Sequence, residues 1–588
     1  MKMKKFIFNV LALLAVCTAG NAQIAGLNIG YCNGEVSTSI HKEFCSQEKD
    51  VWVSGAIWLP ASDINVNAGN ELKSIRAGLA QKIGIDTMSV WVRETLEGAN
   101  IAEGGIAKAS VKKGWNEIEL NQAIALDGTN TTGYYIGYSY HQTSVNQGLS
   151  VFLTPTPNAL FLKHGDGEWT DRSAEGLLCV EGLVYGDNLP KLNLRLISVD
   201  APEYYIIDKG KMTVTGEVRN MGVQTVTGFD VSARVEGIDE TYTTHIDSTI
   251  NFQENKTFSF EVSPSIQQTG TGNLIVTITG LNEGDDLNME DNVASDQFEI
   301  VQHDYSRMVL IEEFTTEECV NCPRVAAYIH ELLDKEKYKN CVTALCHHAG
   351  YYTDWLTVPC ASKYLWYFNA GGSTYAPALM TDRWTTSGAS TPVFNPSSLS
   401  QLESVIDLRL SKPAFVSLTL KAEIDSEANV VKVNVSGNRA KEDITVNPAR
   451  ITVYLVENNI NDRAQAGAGP DFVHQHVVRK VNSDWGEVLE WNGNDYSYDC
   501  QLDLRADYVL DNLQVIAMIY DYDQNDATLS EVANAAALSY ADFTTDDIRS
   551  INAEDSEQVV YDLQGRRMSG DKLPKGLYII NGRKQVVK

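Results

Sequence analysis

Cys319 and Cys322 stand three apart, with Val320 and Asn321 between them and Pro323 after them. An apolar run from Met308 to Ile311 leads into acids and threonines before the first cysteine. Beyond the second, Val325, Tyr328, Ile329, Leu332 and Leu333 recur at helical spacing. The pattern predicts a strand, a short loop and a helix whose first turn carries both cysteines. A helix N-terminus presents unpaired N–H groups and the positive end of its dipole, and both stabilise a thiolate. Two cysteines at this spacing also close a small disulfide. The chemistry they could do is thiol–disulfide exchange. Cys319, exposed, would attack a substrate disulfide, and Cys322, shielded one turn in, would resolve the mixed disulfide.

Two further residues extend the constellation. Glu313 lies six residues before Cys319, and Pro377 sits in Ser373-Thr374-Tyr375-Ala376-Pro377-Ala378-Leu379-Met380, which reads as a loop entering a strand. Together with the cysteine pair these resemble the thioredoxin superfamily. The resemblance implies that Glu313 is a buried acid relaying protons to the second cysteine. It implies that Pro377 is the cis-proline facing the disulfide, since cis bonds are nearly confined to X-Pro. It also implies protein or peptide thiols and disulfides as partners. Two departures oppose easy thiolate formation: Glu318 stands where the family has an aromatic, and Glu317 adds a second carboxylate beside it. A competing reading keeps the pair as a permanent disulfide in a surface adhesin or ligand-binding protein, because no electron donor is obvious outside the cell. Both readings stand on the residues alone, so enzymatic activity is left open.

Other ligand-type residues fit packing better than metal. Cys346-His347-His348 and Cys360 include zinc-type ligands, but adjacent histidines on a strand point to opposite faces. A disulfide between two of Cys341, Cys346 and Cys360 is expected instead. His474 and His476 share a face and are read as packing near the cysteine domain. Asp521 to Asp526 looks like a calcium loop, yet it lacks the glycine at position six and the glutamate at position twelve, where Val532 stands. No serine nucleophile elbow, phosphate loop or His-Glu-x-x-His is present. No metal and no cofactor are therefore expected.

The chain that must position these residues has 588 of them, enough for several domains. Lys2, Lys4 and Lys5, the apolar run from Phe6 to Val16 and Gly20-Asn21-Ala22 read as an export signal over 1–22, cleaved after Ala22. The formal charge of −30 argues against nucleic acid, whose affinity comes largely from cationic neutralisation of phosphate. Beyond the signal no apolar stretch is long enough for a membrane helix. Ten cysteines are present, and loss of Cys17 with the signal leaves an odd number for an oxidising compartment. Cys32 and Cys45 are expected to form a local bridge.

Residues 23–190 hold short strand-like runs broken by Gly- and Asn-rich turns and predict a β-sandwich, similar to jelly-roll carbohydrate-binding modules. Trp91 or Trp169 could stack on glycans there, although core positions are the plainer expectation. Residues 191–301 predict a second all-β unit; Val218-Arg219-Asn220-Met221-Gly222 and the late Asp291-Asn292 resemble small Ig-like bacterial spacer modules. The thioredoxin-like domain is placed at 302–411, with an aromatic-rich insertion over 347–372, and a second β-sandwich at 412–541. The expected fold class is thus multidomain, with all-β sandwiches flanking a central α/β domain. His347 to Thr353, followed by His474-Gln475-His476-Val477-Val478-Arg479-Lys480, resembles the twenty-eight-kilodalton outer-membrane-protein family. The tail over 555–588, with Val560-Tyr561-Asp562-Leu563-Gln564-Gly565-Arg566 and Leu573-Pro574-Lys575-Gly576-Leu577-Tyr578, resembles the type IX secretion sorting domain. That resemblance implies the type IX machinery as a partner and a cell-surface destination.

Overall fold

The computed structural model describes residues 26–543, except 33, 146, 350–352 and 387–388, together with 560–561, 567–568, 575–580 and 583–587 of the tail. The expected export signal lies outside the described residues. The chain divides into two compact units that meet at Ile300 and Val301. It is built mostly of β-strands in several sheets, with few helices.

The first unit begins with a sandwich. One sheet is centred on Val51–Leu59, Tyr134–Gln142 and Ile85–Arg93; the other orders Leu27–Gly30, Val180–Tyr185, Asn70–Leu79 and Gly114–Leu126. Alternate residues such as Ile57, Val90, Ile136, Leu72 and Ile75 meet between the sheets, as period-two patterning requires. Trp91 belongs to this packing: it is only 2% exposed and meets Trp169 edge to face. Trp91 is therefore a core residue, as the plainer expectation had it. Residues from Leu194 onward form a second pair of antiparallel sheets around Val214, Phe229, Leu274 and Val276.

The second unit is organised by an eight-stranded sheet. Its order runs Ala378–Thr381, Val309–Thr315, Val342–His348, Val477–Val481, Arg450–Glu457, Leu513–Tyr520 and Val532–Ser539, with Glu487–Val488 paired to Arg450–Glu457. Val309–Thr315 and Val342–His348 are parallel and buried along their whole length, as expected for strands covered on both faces. The parallel pair needs a crossover, and the helix Cys322–Leu333 supplies it. Strand alternation divides the faces: Val309 and Ile311 pack with Val325, Ile329, Leu402 and Ile406 of two helices. Leu310 and Phe314 pack on the other side with Tyr364 and Leu365 of the helix Ala361–Phe368. Strands expected to lie in different domains, on either side of residue 411, hydrogen-bond into this one sheet: Cys346 pairs with Val477. At its far end the sheet packs through Ile451, Val453 and Val515 against Val431, Val433 and Val435 of a three-stranded sheet. In the tail, Gly576–Ile580 pairs antiparallel with Arg583–Val587 and with Val560–Tyr561; residues 562–566 lie outside the described residues.

Candidate functional site

The strand Val309–Thr315 delivers the chain to the cysteines, and the next elements fix them. Cys319 lies in the turn before the helix and is half-buried, while Cys322 is the first helical residue and only 1% exposed. The expectation that one helical turn holds both is corrected: Asn321, the N-cap, stands between loop and helix. The two sulfurs are bonded, with Cα atoms 5.5 Å apart. Pro377 precedes Ala378, which pairs with Phe314, so it lies at the sheet end from which the cysteine loop leaves. The Ala376–Pro377 peptide is cis.

Glu313 shares a strand face with Val309 and Ile311, the face covered by the cysteine helix. It is 4% exposed, and burial raises its carboxyl to about 7. One carboxyl oxygen accepts a 3.6 Å hydrogen bond from the Cys346 thiol, and the other has no hydrogen-bond partner among the described residues. Cys346 occupies the register position opposite Glu313 on the neighbouring parallel strand. Burial, then the adjacent Glu313, pushes its thiol well above the ordinary value. Cys322, Glu313 and Cys346 line one cleft, whose remaining wall includes Gln465, His474 and His476.

That wall comes from a segment far along the chain. Arg463 forms a two-pronged ion pair with Glu317, at 2.6 and 3.0 Å. The Gln465 side-chain amide donates to the carbonyls of Thr316, at 3.0 Å, and Cys319, at 2.8 Å. The backbone N–H of Ala466 donates to the Glu317 carbonyl at 2.8 Å. Gly467 has φ +84°, and a Cβ there would lie 2.4 Å from the Val320 carbonyl oxygen. Only glycine lets the two loops touch so closely. The cysteine turn is thus clasped by four residues of the segment 463–467, and the charge of Glu317 is compensated rather than left to oppose a thiolate.

The histidines separate by face, as strand geometry predicts. His347 and Glu312 lie 3.2 Å apart, and Arg383 grips both Glu312 oxygens at 2.6 and 2.9 Å, all fully buried. Burial alone would raise the Glu312 carboxyl, but Arg383 and His347 hold it at about 2. On the cysteine side His348 meets Asp354 at 2.7 Å, and the same Asp354 oxygen accepts the Glu317 N–H at 2.8 Å. The ring of His474 lies 5.4 Å from that of His348, and His476 lies 6.1 Å from His330. Burial lowers His474 and His476 to about 4, with His348 and His330 adding to it respectively. Both are therefore neutral at neutral pH and line the cleft.

Of the residues singled out by sequence, the structure brings Cys319, Cys322, Glu313 and Pro377 to one end of the sheet. Cys346, Arg463 and Gln465 were missed as parts of this site. The His-x-His stretch was the available signal, since it sits on the segment that closes the cleft. The other expected bridges are corrected: Cys32, Cys45, Cys341, Cys346 and Cys360 are all thiols. Cys45 donates to its own loop at the His41 carbonyl, 3.3 Å away, and Cys341 to the Lys337 carbonyl, also 3.3 Å. Among the described residues no group of three or more His, Cys, Asp or Glu is placed to hold a metal.

Comparison with known proteins matches residues 367–537 to the family model of outer membrane protein Omp28. The match begins at the last two residues of the helix Ala361–Phe368, leaves out Cys319 and Cys322, and includes His474 and His476. The structure is similar to HBP35 of Porphyromonas gingivalis at 19% identity and a TM-score of 0.36, covering 48% of this chain and 98% of that one. It is also similar to the CARDB domain of PF1109 from Pyrococcus furiosus, at 21% identity and a TM-score of 0.16, covering 20% of this chain and 99% of that one. A β-glucuronidase of Bacteroides uniformis aligns at 10% identity and a TM-score of 0.20, covering 54% and 36%. No curated protein matches the chain.

Proposed function

We propose that this is an exported cell-surface protein whose Cys319–Cys322 pair exchanges disulfides with extracellular proteins or peptides. The observation that carries the reading is the arrangement of a half-buried and a buried cysteine at a helix start over a buried, half-unpartnered Glu313. The parallel strands, the crossover helix and Pro377 at the same sheet end support a thioredoxin-like arrangement built into a larger sheet. Cys319 would be the attacking thiolate, favoured by the helix start and by Arg463 beside Glu317. Cys322 would close the bond from inside, giving its proton to Glu313 through the cleft. Exposed Val320 and Trp355 flank the turn and offer apolar surface to a peptide chain. The Omp28 match supports an outer-membrane or surface address, and the tail supports type IX sorting as the route.

A second reading is favoured by the clasp itself: a turn held by Arg463, Gln465 and Ala466 suits a permanent disulfide in a surface ligand-binding protein. Alkylation of Cys319 after mild reduction, followed across pH, decides between them. A thiolate forming well below the ordinary thiol value of about 8.5 is expected. Resistance to mild reduction, or titration at or above that value, would overturn the exchange reading. For the route, removal of 555–588 is expected to leave the protein in the periplasm, and normal surface display of the truncated chain would refute it.

A further inference from the structure

The strand Leu27–Gly30 runs antiparallel to Val180–Tyr185, in register from Leu27 opposite Val184 to Gly30 opposite Glu181. The pairing ends there, and the same register carried two residues further along both chains leads to Cys32 and Cys179. Directly opposed residues of an antiparallel pair have Cα atoms about 4.5–5.5 Å apart, inside the roughly 4.4–6.8 Å span a disulfide bridges. Both side chains are buried, packed with Ala159 and Leu177 in one small apolar cluster. Gly78 opens the space beside them, since a Cβ there would lie 2.7 Å from the Cys179 Cβ.

We propose that Cys32 and Cys179 are the site of a second disulfide, formed during folding in an oxidising compartment, which staples the first described strand to the sandwich. The Cys32 thiol donates to the Val180 carbonyl at 3.8 Å. Its proximity lowers the Cys179 thiol, although burial opposes the shift. The Ser37 N–H, 3.4 Å from the Cys179 sulfur, donates to it. Burial pushes Cys32 the other way, with Cys179 as the next cause. Cys179 is therefore the attacking thiolate. It opens a low-molecular-weight disulfide, releasing one thiol and forming a mixed disulfide. Cys32 then loses its proton and attacks the Cys179 sulfur, releasing the second thiol. Two protein thiols are oxidised and one external disulfide is reduced.

The test does not depend on export or on the Cys319–Cys322 chemistry. The full chain is reduced, refolded in a glutathione redox buffer, unfolded, alkylated without reductant and mapped by mass spectrometry. A linked peptide pair containing Cys32 and Cys179 is expected, with Cys45 alkylated. Cys32→Ser should leave Cys179 alkylated and lower the Tm of the first unit by about 5–10 °C, while Cys45→Ser should leave the link intact. Alkylation of both Cys32 and Cys179 in the refolded wild type, or a Cys32–Cys45 peptide, would overturn the proposal. The state of Cys319 and Cys322 is read separately from the same digest.

Discussion

Glu313 shows what one buried side chain can decide. Its carboxyl, raised by burial to about 7, is protonated in the folded chain where the unfolded chain is already ionised. The native state thus binds the extra proton between the ordinary carboxylate value and about 7, so stability is full at low pH and falls as pH rises through that window. The shift corresponds to an effect on the order of 3 kcal/mol. Glu313→Gln should flatten this dependence, and thermal melts at pH 5 and pH 8 would check it. If the melts of wild type and variant keep the same difference at both pH values, the buried-acid account fails. Glu313 was legible through the resemblance, by its place six residues before Cys319, and strand alternation puts it on the face of Ile311. Its neighbour Cys346 was not, because parallel register between strands is not written in local spacing.

At the scale of elements, the cysteine turn and the segment that clasps it act as one piece. Arg463 faces Glu317, whose backbone also binds Ala466 and Asp354. Arg463→Ala would leave the Glu317 carboxylate uncompensated beside Cys319, oppose thiolate formation there and move alkylation of the reduced cysteine to higher pH. The pH profile of alkylation in the reduced protein measures it; an unmoved midpoint would mean that the ion pair has no electrostatic hold on the turn. The helix Cys322–Leu333 and the strands at Arg450–Glu457 and Leu513–Tyr520 were legible from apolar periodicity. The clasp was not, since Arg463 and Glu317 lie in irregular loops whose composition specifies no partner.

At the scale of the molecule, the first unit is tied internally by Arg195. Its guanidinium reaches Asp63 at 2.6 Å, Asp291 at 3.2 Å and the Gly30 carbonyl at 3.0 Å, linking the first sandwich to the sheets that follow. Burial raises Asp291 to about 7 even though Arg195 opposes it. Arg195→Ala leaves two buried carboxyls without their cation, and a loss of about 3–5 kcal/mol is expected. Calorimetry should show the transition of this unit lowered and that of the second unit unchanged; equal lowering of both would refute an internal tie.

Sequence alone determined the strand-rich character, the alternation that sorts His347 from His348, and the strand–loop–helix order around Cys319 and Cys322. All of these follow from local periodicity and hydrogen-bonding geometry, which a few neighbouring residues specify. Tertiary structure decided the rest: that the strands on either side of residue 411 share one sheet, that Arg463 and Gln465 close over the cysteine turn, and that Cys32 and Cys179 share one buried cluster. Those outcomes depend on which distant surfaces bury one another and in what register, and the chain records them only in its packing.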